Sequence, residues 1–298
     1  MPIVAFVNYL RLEKNYAFNT IKAYERDLQL FQVFCENTFG AIALNEVSYS
    51  LIRSWIVFLV DQDKSNVTIN RKIASLNAYY NFALKSGQLT QSPLLGHKSL
   101  KVQRKIALPF SENEMDELLS KVPFPSDFEG TRDRLIVSLL YATGMRRAEL
   151  IGLKCSQLDI NISQLKVLGK RNKERVIPLV SSLIPLIKAY LSQRTALPER
   201  VDDTYFFLLP SGKKLYETLV YRVINHYFGL VSTKVKKSPH MLRHTFATHL
   251  LNRGADMQSV KELLGHASLA STQVYTHNNM AALKKAYGNS HPRNKPKV

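Results

Sequence analysis

Apolar residues recur every three or four positions through the N-terminal third of the chain, and this spacing predicts amphipathic helices. The segment NTIKAYERDLQLFQVFC shows the pattern best, with apolar side chains at Ile21, Tyr24, Leu28, Phe31 and Phe34. Asn19 and Thr20 stand where a helix cap is expected. Similar spacing over residues 50–60 and 68–84 predicts two further helices. We therefore expect a small all-helical N-terminal domain.

In the predicted helix over residues 68–84, one face is apolar. Its members are Ile69, Ile73, Leu76 and Tyr80. The periodicity places Arg71 and Lys72 off this face. Together with Asn70 they are candidates to contact a ligand, and an ordinary solvated helix face is the equally weighted alternative.

A different pattern follows residue 110. Ser111 with Glu114 three positions later is the signature of a capping box that opens a helix. Residues 132–141 read as another helix, and residues 158–179 then predict two or three short antiparallel strands around a Gly-Lys-Arg-Asn-Lys turn. Helical spacing returns from Ser182, from Glu217 and from Ser238 onward. The fold class is therefore mainly α, with one small antiparallel sheet in the second domain.

The charge of the chain is strongly basic and uneven. Its 298 residues include 41 Lys+Arg and 23 Asp+Glu, a formal net charge of +18. No carboxylate side chain occurs in residues 94–111, 218–255 or 263–298. Such stretches favour surfaces held against phosphates, so the expected partner is a polyanion such as nucleic acid.

The first acid-free stretch also contains glycine and proline and predicts a basic linker. We expect an N-terminal helical domain over residues 1–95, a linker over 96–109 and a second domain over 110–298. Lys101 and Arg104 in the linker are candidate phosphate contacts.

The sequence gives no sign of export or membrane insertion. No apolar run approaches the ~20 residues of a membrane span, and the N-terminus lacks the pattern of a signal peptide. Cys35 and Cys155 are too few for a disulfide framework. We expect a cytoplasmic protein that does not act at a membrane.

Histidine and arginine cluster in the segments SPHMLRHTFATHLLNRG and VKELLGHASLASTQVYTH. His240 and His244 have the spacing of a zinc-binding helix, but Met241 stands where that motif needs a glutamate, and Arg243 would repel the metal ion. We expect no metal and no other cofactor. A guanidinium beside an imidazole suits phosphate instead, since arginine binds it through two parallel hydrogen bonds.

An arginine in the turn TGMRRAELIGL lies about a hundred residues upstream. Gly144 allows the chain to turn, and Arg146 stands at the start of the next helix, whose free N–H groups suit an anion. Glu149 can brace this arginine through an ion pair.

Taken together and in order, these motifs resemble the tyrosine recombinase (phage integrase) family, and within it the XerC/XerD type. The resemblance covers essentially the whole chain, from NTIKAYERDLQLF through TGMRRAELIGL, GKRNKERVIPL, HMLRHTFATHLL and LGHAS to VYTH. It implies a SAM-like core-binding domain of four or five helices followed by a mostly helical catalytic domain.

The resemblance also implies the roles of individual residues. The catalytic set is Arg146, Lys170, His240, Arg243, His266 and Tyr275. Tyr275 is the expected nucleophile, the two arginines clamp the scissile phosphate, and Lys170 protonates the departing 5′ oxygen. This chain has Arg171 where the family commonly has glycine, so Lys173 is kept as a lesser candidate for the acid. The candidate DNA contacts are Asn70, Arg71, Lys72, Lys101, Arg104 and Lys173.

The expected activity is site-specific cutting and rejoining of duplex DNA through a 3′-phosphotyrosine intermediate. The partner is DNA with a short bipartite site, bound by a tetramer on two sites that can include a paralogous recombinase. We expect the cellular role to be chromosome dimer resolution. The alternatives are an integrase or transposon recombinase of a mobile element and a non-catalytic DNA-binding regulator. The resemblance implies that AALKKAY packs on a neighbouring subunit, and it leaves open whether a DNA translocase activates the protein. We expect the end of the chain, SHPRNKPKV, to be a flexible basic tail.

Overall fold

The N-terminal part of the computed structural model folds into four α-helices, of which the apolar spacing predicts the last three. They are α1 (Pro2–Leu12), α2 (Phe18–Phe39), α3 (Tyr49–Asp61) and α4 (Asn66–Lys85). The structure describes residues 2–103, 108–169, 174–234, 237–265, 287 and 290–294. The chain divides into two units, Met1–Lys105 and Ile106–Val298.

The predicted apolar face of α2 forms part of the core of the first unit. Ile21, Leu28 and Phe31 are buried, and the ring of Phe31 packs on Trp55 of α3 at a centroid distance of 4.9 Å. Helix α2 begins at Phe18 after Ala17, which provides no side-chain cap. The cap predicted from the adjoining Asn-Thr pair is therefore wrong, since both residues lie inside the helix.

A buried carboxylate joins α2 to α4. Asp27 accepts hydrogen bonds from Nζ of Lys72 at 2.9 Å, from both Nη atoms of Arg71 at 2.5 and 3.1 Å, and from Oγ of Ser75 at 2.9 Å. Lys72 is only 7% exposed, so it lies on the buried face of α4. The prediction from the periodicity, that Lys72 lies off this face, is wrong. A buried charge is tolerated when it is paired and hydrogen bonded, and this pairing links the two helices.

Helix α4 also holds the chain that leaves the helical bundle. The side-chain amide of Asn70 donates to the carbonyl of Leu100 at 2.9 Å and accepts from its N–H at 2.9 Å. Nδ2 of Asn66 donates to the carbonyl of Lys101 at 2.8 Å. We call these contacts the amide clasp. They attach residues 100 and 101, which belong to the predicted linker, to the first unit.

The second unit is mostly helical with one small sheet, as predicted. The helices whose full range is described are α5 (Glu112–Ser120), α6 (Phe128–Thr143), α7 (Arg147–Gly152), α8 (Leu183–Thr195), α9 (Glu217–Val231), α10 (Pro239–Asn252) and α11 (Met257–Leu264). Strands β1 (Leu158–Asp159), β2 (Gln164–Leu168) and β3 (Glu174–Pro178) form an antiparallel sheet in that order. The capping box at Ser111 is confirmed, since Ser111 and Glu114 each accept a hydrogen bond from the backbone N–H of the other.

Helix α6 is the centre of the second unit. Its residues 135–143 are all buried, as befits a helix packed on every side. The hydroxyl of Tyr141 shares a 2.9 Å hydrogen bond with Nδ1 of His249 on α10, whose Nε2 bonds the carbonyl of Phe110 at 2.9 Å. Across the described ranges, no helix combines the length and the apolar character needed to cross a membrane.

Residues near the end of the chain pack against α6. Tyr287 is buried and donates its hydroxyl hydrogen to the carbonyl of Ala142 at 2.6 Å. Ser290 and His291 are buried as well, so the expected flexible tail is wrong at its first residues. Burial lowers the pKa of His291 to about 3, which keeps the imidazole neutral.

Replacing Asp27 by alanine should destabilise the first unit by about 3–5 kcal/mol, because the ammonium of Lys72 would be left buried without its carboxylate. The chain has one tryptophan, Trp55, and it lies in this unit, so urea unfolding followed by tryptophan fluorescence reports on it. Glu36→Ala is the matched control, since Glu36 is an exposed carboxylate of the same helix. Equal midpoints for the two variants would show that the buried pair contributes nothing.

Candidate active site

The turn between α6 and α7 places Arg146 at the start of a helix, as predicted. Gly144 ends α6 with a left-handed conformation, φ 58°. A Cβ atom at this position would lie 2.4 Å from Cδ1 of Phe246. Both the backbone conformation and the space therefore require glycine.

Glu149 braces Arg146 in the predicted way. The backbone N–H of Arg146 donates to Oε2 of Glu149 at 2.7 Å, and its Nη1 donates to Oε1 at 2.8 Å. Nη2 of Arg146 reaches the carbonyl of Gly265 at 3.4 Å. The side chain is 39% exposed, so a ligand can reach the guanidinium.

Arg243 approaches the same place from α10. It is 8% exposed and donates to two backbone carbonyls, through Nη1 to Gly144 at 2.7 Å and through Nη2 to Leu264 at 2.7 Å. Burial, together with the nearby charge of Arg146, lowers the pKa of Arg243 to about 10. Arg243 therefore remains a cation at neutral pH.

A third arginine was not predicted from the sequence. Arg175 on β3 is 4% exposed. It donates through Nε to the carbonyl of Leu263 at 2.8 Å and through Nη1 and Nη2 to the two carboxylate oxygens of Glu149 at 3.0 and 2.8 Å. The period-two pattern of strands gave a usable signal, since it places Arg175 on the same face as buried Ile177.

We call these three arginines with Glu149 the arginine cluster. Leu263, Leu264 and Gly265 at the C-terminal end of α11 each accept a hydrogen bond from a different arginine of the cluster. These carbonyls have no partner within the helix and form the negative end of its dipole, so they stabilise neighbouring cations. The cluster thereby docks the end of α11.

The charge state of Glu149 follows from these neighbours. Burial of the carboxyl group acts to raise its pKa. The hydrogen bonds and charge of Arg175, together with the bonds from Arg146, outweigh burial and hold the pKa of Glu149 below its ordinary value. One carboxylate thus faces three guanidinium groups, and the cluster keeps an excess of positive charge that favours an anionic ligand.

His240 lies three residues before Arg243 on α10, which puts the two on one side of the helix, as predicted. The imidazole of His240 is exposed, whereas Arg243 is buried. Ser238 caps the helix by accepting a hydrogen bond from the N–H of Met241. His240 is therefore placed where it can meet a ligand at the surface above Arg243.

Several predicted residues lie outside the described residues. They are Lys170, His266 and Tyr275 of the catalytic set, and Arg104 and Lys173 of the candidate DNA contacts. Their described neighbours are informative, since Leu168 and Glu174 lie on either side of the segment that contains Lys170, and Gly265 directly precedes His266 in the sequence.

The candidate DNA contacts of α4 have structural partners. The side-chain amide of Asn70 is engaged in the amide clasp. The prediction that Lys72 is a surface contact is wrong, because its ammonium group is buried and donates a hydrogen bond to Asp27. Arg71 shares that carboxylate but is half-exposed. The side chain of Lys101 is exposed, and only its backbone carbonyl is used in the clasp.

Within the part of the chain that the structure describes, no group of three or more His, Cys, Asp or Glu side chains is arranged to hold a metal ion.

Two family models match the chain. The model of the phage integrase family matches residues 109–282, and the model of the phage integrase N-terminal SAM-like domain matches residues 3–87. A protein named tyrosine recombinase XerC from Listeria innocua is 38% identical over 290 residues, which cover 97% of this chain and 96% of that protein. Another of that name, from Pelotomaculum thermopropionicum, is 35% identical over 300 residues, covering 97% of each.

Solved structures share the fold. The Tn1549 transposon integrase in complex with transposon right end DNA is 20% identical, with a TM-score of 0.72, and the match covers 95% of this chain and 98% of that one. XerH site-specific recombinase bound to a palindromic difH substrate is 23% identical, with a TM-score of 0.71, covering 92% and 80%.

Substituting Gly144 by alanine should lower the stability of the second unit by roughly 2–4 kcal/mol, since left-handed backbone and overpacking against Phe246 both oppose it. Thermal unfolding followed by circular dichroism measures the loss. Gly152→Ala is the control, because no atom lies within 4 Å of a Cβ there. A Gly144 variant as stable as this control would contradict the conclusion that position 144 requires glycine.

Proposed function

This chain belongs to the phage integrase family and is a Xer-type site-specific recombinase, and we propose that Tyr275 is its nucleophile and that Arg146 and Arg243 hold the scissile phosphate. The observation that carries the proposal is the arginine cluster, in which two guanidinium groups from separate helices converge with an excess of positive charge.

Two arginines suit the transition state of phosphoryl transfer. Attack on a phosphodiester concentrates negative charge on the non-bridging oxygens, and preorganised cations stabilise that charge without reorganising during the reaction. Glu149 and the carbonyls of Gly144 and Leu264 hold the guanidinium groups in place before DNA arrives.

The covalent step is transesterification. The phenolic oxygen of Tyr275 attacks the scissile phosphorus, a 3′-phosphotyrosine bond forms, and the bond to the 5′ oxygen breaks. Lys170 gives a proton to that oxygen, and Lys173 is the lesser candidate for this acid. A 5′-hydroxyl from the partner strand then attacks the phosphotyrosine and releases the tyrosine, so rejoining needs no external energy source.

The histidines assist the phosphate and the nucleophile. A tyrosine hydroxyl has an ordinary pKa near ~10 and needs a base or cationic surroundings to react as phenolate. We assign this assistance to exposed His240, and a hydrogen bond to the phosphate to His266.

The protein binds double-stranded DNA, and we propose a short bipartite recombination site as the target, with chromosome dimer resolution in the cytoplasm as the cellular role. Residues 1–95 and 110–298 then act as two DNA-binding domains, joined by the basic linker that carries Lys101 and Arg104. Family membership supports a tetramer on two sites that can include a paralogous recombinase, with a DNA translocase as a possible activator.

Tyr275→Phe should abolish covalent attachment to DNA and leave binding unchanged, because it removes only the attacking oxygen. Nicked half-site DNA in EDTA, resolved on a denaturing gel with peptide mapping, detects the adduct. Tyr221→Phe is the control, since Tyr221 is an exposed tyrosine of α9. An adduct formed by the Tyr275 variant, or mapped to another residue, would refute the assignment.

Arg243→Lys should reduce the cleavage rate by about 10²- to 10³-fold, because lysine keeps the charge but loses the planar fork of donors. The affinity for DNA should change little, since many phosphate contacts contribute to binding. Single-turnover cleavage and a gel-shift titration give the two quantities. Arg147→Lys, next to the cluster but paired with Glu217 at the surface, should cleave at the wild-type rate, and a wild-type rate for the Arg243 variant would remove Arg243 from the clamp.

A further inference from the structure

One member of the arginine cluster has no part in the chemistry just described. Arg175 is buried, and its guanidinium is taken up by Glu149 on one side and by the carbonyl of Leu263 on the other. It offers no surface to a DNA phosphate. Its contacts instead join three segments of the second unit: β3, α7 and the end of α11.

Each of these segments adjoins a residue of the proposed active site. Glu149 of α7 orients Arg146. In the sequence, His266 directly follows Gly265 at the end of α11, and residues 170–173 directly precede β3. Arg175 therefore connects the three segments that adjoin Arg146, Lys170 and His266.

We propose that Arg175 is a positioning residue of the recombination reaction, which fixes the end of α11 and the carboxylate of Glu149 relative to each other and so sets the geometry of Arg146 and His266. The inference rests on the proposed function, because those two residues have their roles only there.

The shape of the guanidinium is the reason that arginine serves here. Its planar fork fixes the direction of the two parallel bonds to Glu149, while Nε points to a different acceptor. An ammonium group would supply the charge without fixing both acceptors at once. Backbone and side chain are also fitted closely, since a Cβ on Gly265 would lie 3.1 Å from Cδ and 3.2 Å from Nη1 of Arg175, and Gly265 has φ +64°.

Single-turnover cleavage of nicked half-site DNA by the full chain tests the proposal. Arg175→Gln and Arg175→Lys should both cleave about 10- to 100-fold more slowly, because small displacements of reacting groups are costly, while DNA affinity stays near the wild-type value. Arg194→Gln is the matched control, since Arg194 is also 4% exposed and also donates to backbone carbonyls, at Asp203, Tyr205 and Phe206. It should bind and cleave as wild type once rates are corrected for the folded fraction.

The lysine variant separates geometry from charge. Full activity of Arg175→Lys would mean that charge alone suffices and would overturn the proposal. An equal loss of rate in Arg194→Gln would show that Arg175 contributes only to folding, and it would overturn the proposal. Gly265→Ala disturbs the same contact without replacing the arginine and should also slow cleavage. The proposal can therefore be tested even if Arg175→Gln does not fold.

Hydrogen exchange of the α11 amides without DNA gives a second readout. Exchange near Leu263 and Leu264 should increase in Arg175→Lys and not in Arg194→Gln, and unchanged exchange would refute the anchoring of α11. This readout holds even if the wild-type protein forms no Tyr275 adduct, a result that would instead count against the proposed function.

Discussion

The second unit depends on holding three guanidinium groups beside a single carboxylate. Like charges brought together in a poorly hydrated place repel strongly, and the one negative side chain, Glu149, does not balance them. The remaining compensation comes from backbone carbonyls at the end of α11 and at Gly144. Helix α11, the turn after α6 and strand β3 are thus arranged around one electrostatic requirement.

The sequence predicted those features that local rules determine. Period-three and period-four spacing located helices such as α2, the capping box located the start of α5, and the β-branched run located the hairpin. The ordered motifs then identified Arg146 and Arg243 as partners although about a hundred residues separate them. In each case the signal lay within a few neighbouring residues or in a recognisable motif.

Prediction failed where a charged residue is stabilised by a distant partner. The periodicity places Lys72 off the apolar face of α4, and its burial is tolerated only because Asp27 of another helix pairs with its ammonium group. Arg175 was overlooked for the same reason, since Glu149 and Leu263 are far from it in sequence. His291, at the start of the tail, is buried in a similar way, since its ring packs on Tyr141 of α6 at a centroid distance of 5.3 Å. Local polarity does not report such compensation.

The amide clasp shortens the free part of the linker. Asn66 fixes the carbonyl of Lys101, and on the other side Thr245 and His249 fix the backbone of Phe110. Eight residues, 102–109, separate the two anchored residues, and this stretch spans at most ~32 Å when fully extended. Under the proposed function, in which both units bind DNA, a tether this short gives the second unit a high effective concentration near DNA that the first has bound, on the millimolar scale typical of short linkers. The affinity of the whole chain for DNA then exceeds that of either unit alone, because a unit that dissociates rebinds before the other is released.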